Sequence, residues 1–252
     1  MKAMILAAGL GTRLRPLTDD RPKALVTVAG RTLLQIALER LRHFGIQEVI
    51  VNMHHYAGMI VEYLQSNSNF GMRIEVAQEE VLLDTGGGLK NAAWFFLEEG
   101  RIADEPFLLH NVDVISNIDL DRMMHYHAEQ EALATLAVQE RASSRYLLFD
   151  ERGQLCGRRV GRSAQAEEVQ DELARPSPYL KPLAFSGIHV ISPRLLGKMK
   201  EQGVFSIIDA YLHLAARGEK IIAYRADECY WRDLGRSESL IEAARDLESW
   251  TD

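Results

Sequence analysis

A disulfide framework, membrane insertion and bulk polyanion binding are each disfavoured by something this sequence has little of. Its 252 residues include only two cysteines, Cys156 and Cys229, with no C-x-x-C pair and no basis for a disulfide framework. That usage suits a reducing compartment and disfavours a thiolate zinc site. No apolar run approaches the ~18 residues of a membrane span. The stretch Met1 to Ala8 is too short for a secretory core before Gly9, Thr12 and Arg13 interrupt it. A cytoplasmic protein with no membrane partner is expected. Lys and Arg number 29 against 36 Asp and Glu, and the resulting charge of −7 has the wrong sign for a non-specific nucleic-acid binder. Seven prolines and 18 glycines exclude collagen-like and low-complexity chains, while 47% apolar residues can fill a core.

Short β-like runs alternate with helical stripes along the chain, which predicts an α/β fold. The expected architecture is a three-layer sandwich around a mostly parallel, Rossmann-like central sheet, with small antiparallel additions in the second half. Lys2 to Ala8 reads as a buried first strand. Thr32-Leu33-Leu34-Gln35 is a capping box opening a helix with Leu34, Leu38 and Leu41 on its apolar side, and Gly45 marks its stop. Strands follow over 48–51, 72–77, 107–111, 134–138 and 185–191, with helices over 56–64 and 89–97. Ser192-Pro193 and Ser206 read as helix starts, and the stripe Leu240, Ala244, Leu247 predicts a last helix over 237–250. Residues 161–182 mix Arg, Glu, Ser and Pro without apolar period, which predicts a loop or insertion, equally a lid or a neutral one. No repeat is visible, so one domain over 1–252 is expected.

The richest segment is Ala7-Ala8-Gly9-Leu10-Gly11-Thr12-Arg13-Leu14, which follows the first strand with small residues where backbone could approach a phosphate. A dinucleotide fingerprint would need glycine in place of Leu14, and the second strand ends on Asn52 rather than an acidic ribose ligand. A Walker A loop fails as well, for want of Gly-Lys-Ser/Thr at the right offset. Residues 1–23 nevertheless carry five basic side chains against two acidic ones in an acidic protein. Such contrast suits a local polyanion site, with backbone N–H groups and arginine forks as donors. A tight turn with solvated charges is the alternative. His54-His55 and His125-x-His127 have the wrong spacing for two ligands on one face, and are expected to serve loop and packing roles.

The whole run Leu6 to Thr18, followed by Arg21-Pro22-Lys23-Ala24-Leu25, resembles the signature of the sugar-1-phosphate nucleotidyltransferases. Thr85-Gly86-Gly87-Gly88-Leu89, Asp113, Phe185-Ser186-Gly187-Ile188 and Trp231-Arg232-Asp233-Leu234-Gly235 extend the likeness over nearly the whole chain. Within the family it resembles the short single-domain members acting on N-acetylmuramate, mannose or heptose 1-phosphates. The resemblance implies transfer of a nucleoside monophosphate from a nucleoside triphosphate to a sugar 1-phosphate, with release of pyrophosphate. Residues 1–115 would bind the nucleotide and 116–252 the sugar phosphate. Ala8, Gly9, Gly11, Thr12 and Arg13 would line the triphosphate, with Gln78 and Gly86 at the base. Lys23 and Gly187 would serve the sugar phosphate. Arg13, Lys23 and Asp113 would be catalytic, and Asp113 with Asp233 would hold Mg²⁺, a hard ion that takes one or two carboxylates plus phosphate and water. A monomer or homodimer is expected.

Two positions depart from the family pattern: Val112 stands where many members have glycine, and Glu80 to Asp84 replaces a proline- and glycine-containing approach to the Thr-Gly turn. Two other functions fit the same residues. One is cytidylyl transfer to phosphocholine; the other is a non-catalytic nucleotide-sugar-binding regulatory protein, motivated by Val112.

Overall fold

The computed structural model describes residues 1–98, 101–102, 105–161 and 169–248. The chain opens with β1 (Lys2–Leu6), the small hairpin β2 (Thr27–Val28) and β3 (Arg31–Thr32), and α1 (Leu33–His43). Then come β4 (Glu48–Met53), α2 (Ala57–Ser66), β5 (Arg73–Gln78), α3 (Asp84–Asn91) and the hairpin β6 (Leu97–Glu98) and β7 (Arg101–Ile102). The middle holds β8 (Phe107–Asn111), β9 (Val114–Ser116), α4 (Leu120–Glu129), β10 (Ala134–Gln139), β11 (Arg145–Phe149), β12 (Leu155–Gly161) and β13 (Val169–Leu173). The end is β14 (Lys181–Ile191), α5 (Arg194–Lys198), α6 (Ile207–Ala216), β15 (Ile221–Arg225), β16 (Trp231–Asp233) and α7 (Ser237–Glu248).

The large sheet runs β13-β12-β11-β14-β8-β1-β4-β5, with β10 also on β14 and β15 on β10. Its heart, β8-β1-β4-β5, is parallel. Beyond β8 the strands β14, β11, β12 and β13 run antiparallel to their neighbours and form a wing. Strand β1 reads as one apolar run because both of its faces are covered. Period-two alternation then splits it: Ala3 and Ile5 pack on one side with α1, α4 and α7, while Met4 packs on the other with α3, α5 and α6. The result is the expected three layers.

Local signals explain most elements. Thr32 Oγ1 accepts from Gln35 N at 3.0 Å, Leu34, Leu38 and Leu41 are fully buried, and Gly45 has φ +73° at the stop. Ser206 accepts from Ile208 N and caps α6.

Four expectations are corrected. The helix placed at 89–97 runs instead over Asp84–Asn91 and takes in all three glycines, where tertiary neighbours press too closely for a side chain. Residues 169–173 of the expected loop are a strand, paired to β12 by main-chain hydrogen bonds; residues 162–168 lie outside the described residues. Ser192 Oγ accepts from Arg194 Nε instead of capping a helix N–H. The last helix buries Ala243 fully and Ala244 only partly, and its expected end at Trp250 lies outside the described residues.

Candidate active site

In α/β sheets ligands gather beyond the carboxyl ends of parallel strands. Here Leu6 of β1 pairs with Asn52 of β4 and Asn111 of β8, so three strands end level. As the chain leaves β1, Ala7 N donates to Asn52 Oδ1 at 2.7 Å. Asn52 Nδ2 donates to Glu79 Oε1 at 2.6 Å, and Glu79 Oε2 accepts from Leu83 N at 2.9 Å. Asn52 and Glu79 are both buried, so each needs these partners, and together they tie the glycine loop to the approach to α3. The sequence signal for them was slight: one amide ending an apolar strand and one carboxylate just after another.

Gly11 begins the turn over Thr12–Leu14 at φ +65°, and a Cβ there would meet Thr18 Cγ2 at 2.9 Å and Lys23 Cβ at 3.1 Å. Glycine therefore lets the cationic loop fold back on itself, with Thr18 donating to Gly11 O at 2.9 Å. Leu14 anchors the turn in the core, and Arg13 is left exposed. Its guanidinium lies over Gly235, whose Cβ would come within 2.6 Å of both Arg13 Nη2 and Asp233 Oδ1. Gly235 N donates to that same Asp233 oxygen at 2.7 Å.

Lys23 is buried and its ammonium is ion-paired and hydrogen-bonded to Asp113 Oδ2. Asp113 and Asp233, far apart in sequence, are brought side by side by strand pairing. In the β9–β16 ladder Asp233 faces Val114, and Leu234 N donates to Asp113 O at 2.8 Å.

Two adjoining cavities open here, of about 1080 and about 350 Å³, and Asp84, Thr85 and Asn111 line both. Ala8, Gly9, Lys23 and Asp113 line the smaller; Arg13, Gly187 and Asp233 line the larger. Gly11 and Thr12 line neither and shape the turn beside them. Gln78 and Gly86 line neither cavity either. Gln78 is exposed at the end of β5. Gly86 is buried, donates its N–H to Phe205 O at 3.0 Å, and would place a Cβ 2.4 Å from the Phe205 ring. Its smallness serves packing.

The larger cavity is rich in cations that the sequence did not mark. Arg141 stacks on Trp231 with its guanidinium carbon 3.6 Å from the ring centroid, and donates to Phe185 O at 2.8 Å. Trp231 Nε1 donates to Ser186 O at 2.7 Å. Burial pulls the Arg141 pKa down from the usual guanidinium value, opposed by the charge of Asp233. Arg158 is engaged by Glu172 and Asp209, whereas Arg145 and Arg236 form no salt bridge among the described residues. His189, also on the wall, is held neutral: burial lowers its pKa to about 3, and its Nδ1 meets Tyr211 Oη at 2.8 Å.

His54 and His127 take the loop and packing roles expected of them. His54 meets Glu79 O in a loop, and His127 packs against Thr135. Among the described residues no three His, Cys, Asp or Glu side chains gather as a metal site, and no helix is long and apolar enough to cross a membrane.

A parallel sheet with a glycine turn at its carboxyl edge and an antiparallel wing over the crevice is the fold of the nucleotide-diphospho-sugar transferases. HddC from Yersinia pseudotuberculosis, solved as a complex with GMP-PN, superposes with a TM-score of 0.74 at 21% identity, over 98% of this chain and 99% of that one. The chain belongs to the nucleotidyl transferase family, which it matches over residues 2–249. N-acetylmuramate alpha-1-phosphate uridylyltransferase of Caulobacter vibrioides is 32% identical over 96% of this chain and 94% of its own length. Mannose-1-phosphate guanylyltransferase of Mycobacterium tuberculosis is 28% identical over 97% of this chain, which spans 64% of that relative.

Proposed function

We propose that this protein transfers a nucleoside monophosphate from a nucleoside triphosphate to a sugar 1-phosphate, releasing pyrophosphate. The observation that carries it is the meeting of the Lys23–Asp113 pair with Arg13 and Asp233, whose side-chain ends both lie against Gly235, where two adjoining cavities open. Apart from Val204, the smaller cavity is lined by residues 6–113, which suits the nucleotide; the larger draws mostly on residues 141–239, which suits the sugar phosphate. The relatives' names support the same reaction.

The chemistry needs no protein nucleophile, because the attacking phosphate oxygen is already ionised. What it needs is alignment of two polyanions and a place for charge to go. Lys23, fixed by Asp113, would orient the two phosphates at the junction. Arg13, exposed beside the junction with its guanidinium over Gly235, would neutralise the departing pyrophosphate. Asp113 and Asp233 would hold Mg²⁺: two hard carboxylates, one in the turn before β9 and one at the end of β16, leave the other positions to phosphate oxygens and water, as this ion prefers. When bound, the ion supplies positive charge to the reacting phosphate oxygens.

The relatives' names are those of sugar 1-phosphate enzymes, which does not favour phosphocholine as the acceptor. Val112 packs into the core and leaves the Asp113 carboxylate on Lys23, which supports a working site without glycine there. The test is pyrophosphate release over a matrix of four triphosphates and several sugar 1-phosphates, with Mg²⁺ and with chelator. Turnover with one pairing, lost on chelation, is expected; turnover with phosphocholine alone, or binding of nucleotide-sugar without any turnover, would overturn it.

A further inference from the structure

Asp84 is the first residue of α3 and sits in the left-handed region, with φ +60°. Among the described residues, none of the other non-glycine residues with positive φ lines either cavity, whereas Asp84 lines both. Aspartate tolerates this backbone better than most residues, but glycine would hold it without strain. A strained residue at the junction of two ligand cavities calls for a reason beyond the turn.

Its carboxylate offers one. One oxygen accepts from Thr85 N at 2.6 Å, and the other has no partner among the described residues; the side chain is exposed. An ionised carboxylate only accepts hydrogen bonds. It repels phosphate, and it does not join Asp113 and Asp233 in a three-ligand metal group. Facing two polyanionic reactants, it can be favourable only toward their hydrogen-bond donors, of which the ring hydroxyls are common to nucleotide and sugar.

We propose that Asp84 is a specificity-determining residue that accepts hydrogen bonds from ring hydroxyls of the substrates, on the nucleotide ribose or on the sugar, where the two cavities meet. This rests on the nucleotidyl-transfer reading of the same cavities. Glycine at this position removes the acceptor and relieves the backbone, so Asp84→Gly folds at least as well as the native chain.

Calorimetry on the full chain, with Asp84→Gly and Asp84→Asn beside it, tests the proposal. The nucleotide probes are UTP and GTP with their 2′- and 3′-deoxy counterparts. The sugar probes are glucose 1-phosphate and 2-deoxyglucose 1-phosphate. The native protein should prefer the hydroxylated probe of one series by about 10- to 100-fold, the span of a charge-assisted hydrogen bond. Asp84→Gly should bring that ratio near one while its melting temperature holds or rises, and Asp84→Asn should fall between. The series that responds tells ribose from sugar. Ratios unchanged by Asp84→Gly, all probes weakened alike with a lower melting temperature, or no probe bound by the native chain would each overturn the proposal. The transfer reading fails separately, when the native chain releases no pyrophosphate with any pairing.

Discussion

The crevice at the end of β1 and the antiparallel wing use the same charged residue types to different ends. In the crevice the Lys23 and Asp113 side chains are 10% and 16% exposed; on the wing Arg159 and Asp171 are each 31% exposed and lie 2.6 Å apart. Desolvation makes the first pair interdependent, because removing one member strands the other charge away from water. The second pair stays wet, and each partner has water to fall back on. A short ion pair is therefore no guide to its worth until its burial is known.

Mutations can break that contrast. The largest effect is expected for Asp113→Ala, which strips a proposed metal ligand and leaves the Lys23 ammonium unpaired. Activity should vanish in a pyrophosphate-release assay, and stability should fall by about 3 kcal/mol, seen as a lower midpoint in denaturant. Lys23→Met keeps the volume and should lose turnover by about 10²- to 10³-fold. Arg13→Ala should cost a similar factor in kcat with an unchanged melting temperature, since the side chain is exposed. An Arg13 variant that unfolds would assign that residue to structure.

Gly235→Ala sharpens the comparison from the other side. Its Cβ would displace both Arg13 and Asp233, which should reduce turnover about tenfold while the fold persists, because the clashing atoms are side-chain ends. Acid should act on the body of the protein and on β14, and spare the outer wing strands β11, β12 and β13. Burial lowers the pKa of His110 and His127 to about 4 and of His189 to about 3, below the ordinary 6.5. The unfolded chain thus binds more protons below pH 6.5, so stability present at neutral pH is lost as pH falls toward 4, by up to about 1.4 kcal/mol per pH unit for each histidine. No histidine lies in β11, β12 or β13, and hydrogen exchange should show the loss in the strands that carry His110 and His189. The smallest effect is expected for Asp171→Asn on the wing, within about 0.5 kcal/mol in a thermal melt and without change in kcat.

Much of the fold is readable from periodicity, because β1, β4 and β8 are short apolar runs and α1 carries a cap, a stripe and a stop. The wing is not. Strand β13 is built from Val169, Gln170, Asp171, Glu172 and Leu173, held by main-chain hydrogen bonds to β12, and so shows no apolar period. The glycines after Thr85 look like a ligand loop in one dimension. In three, Gly86 makes room for Phe205, Gly87 for the Gly203 carbonyl, and Gly88 for Asn52 and Glu79.

Local chemistry written in the chain determined the turn at Gly11, the cations around it, the family and the three-layer plan, because each depends on residues that are neighbours in sequence. Which carboxylates face the crevice was decided by the pairing of β9 with β16, and which arginines stay unpaired was decided by the wing. Contacts between segments so far apart leave no periodic trace, since the energy that selects them is released only when the chain has closed on itself.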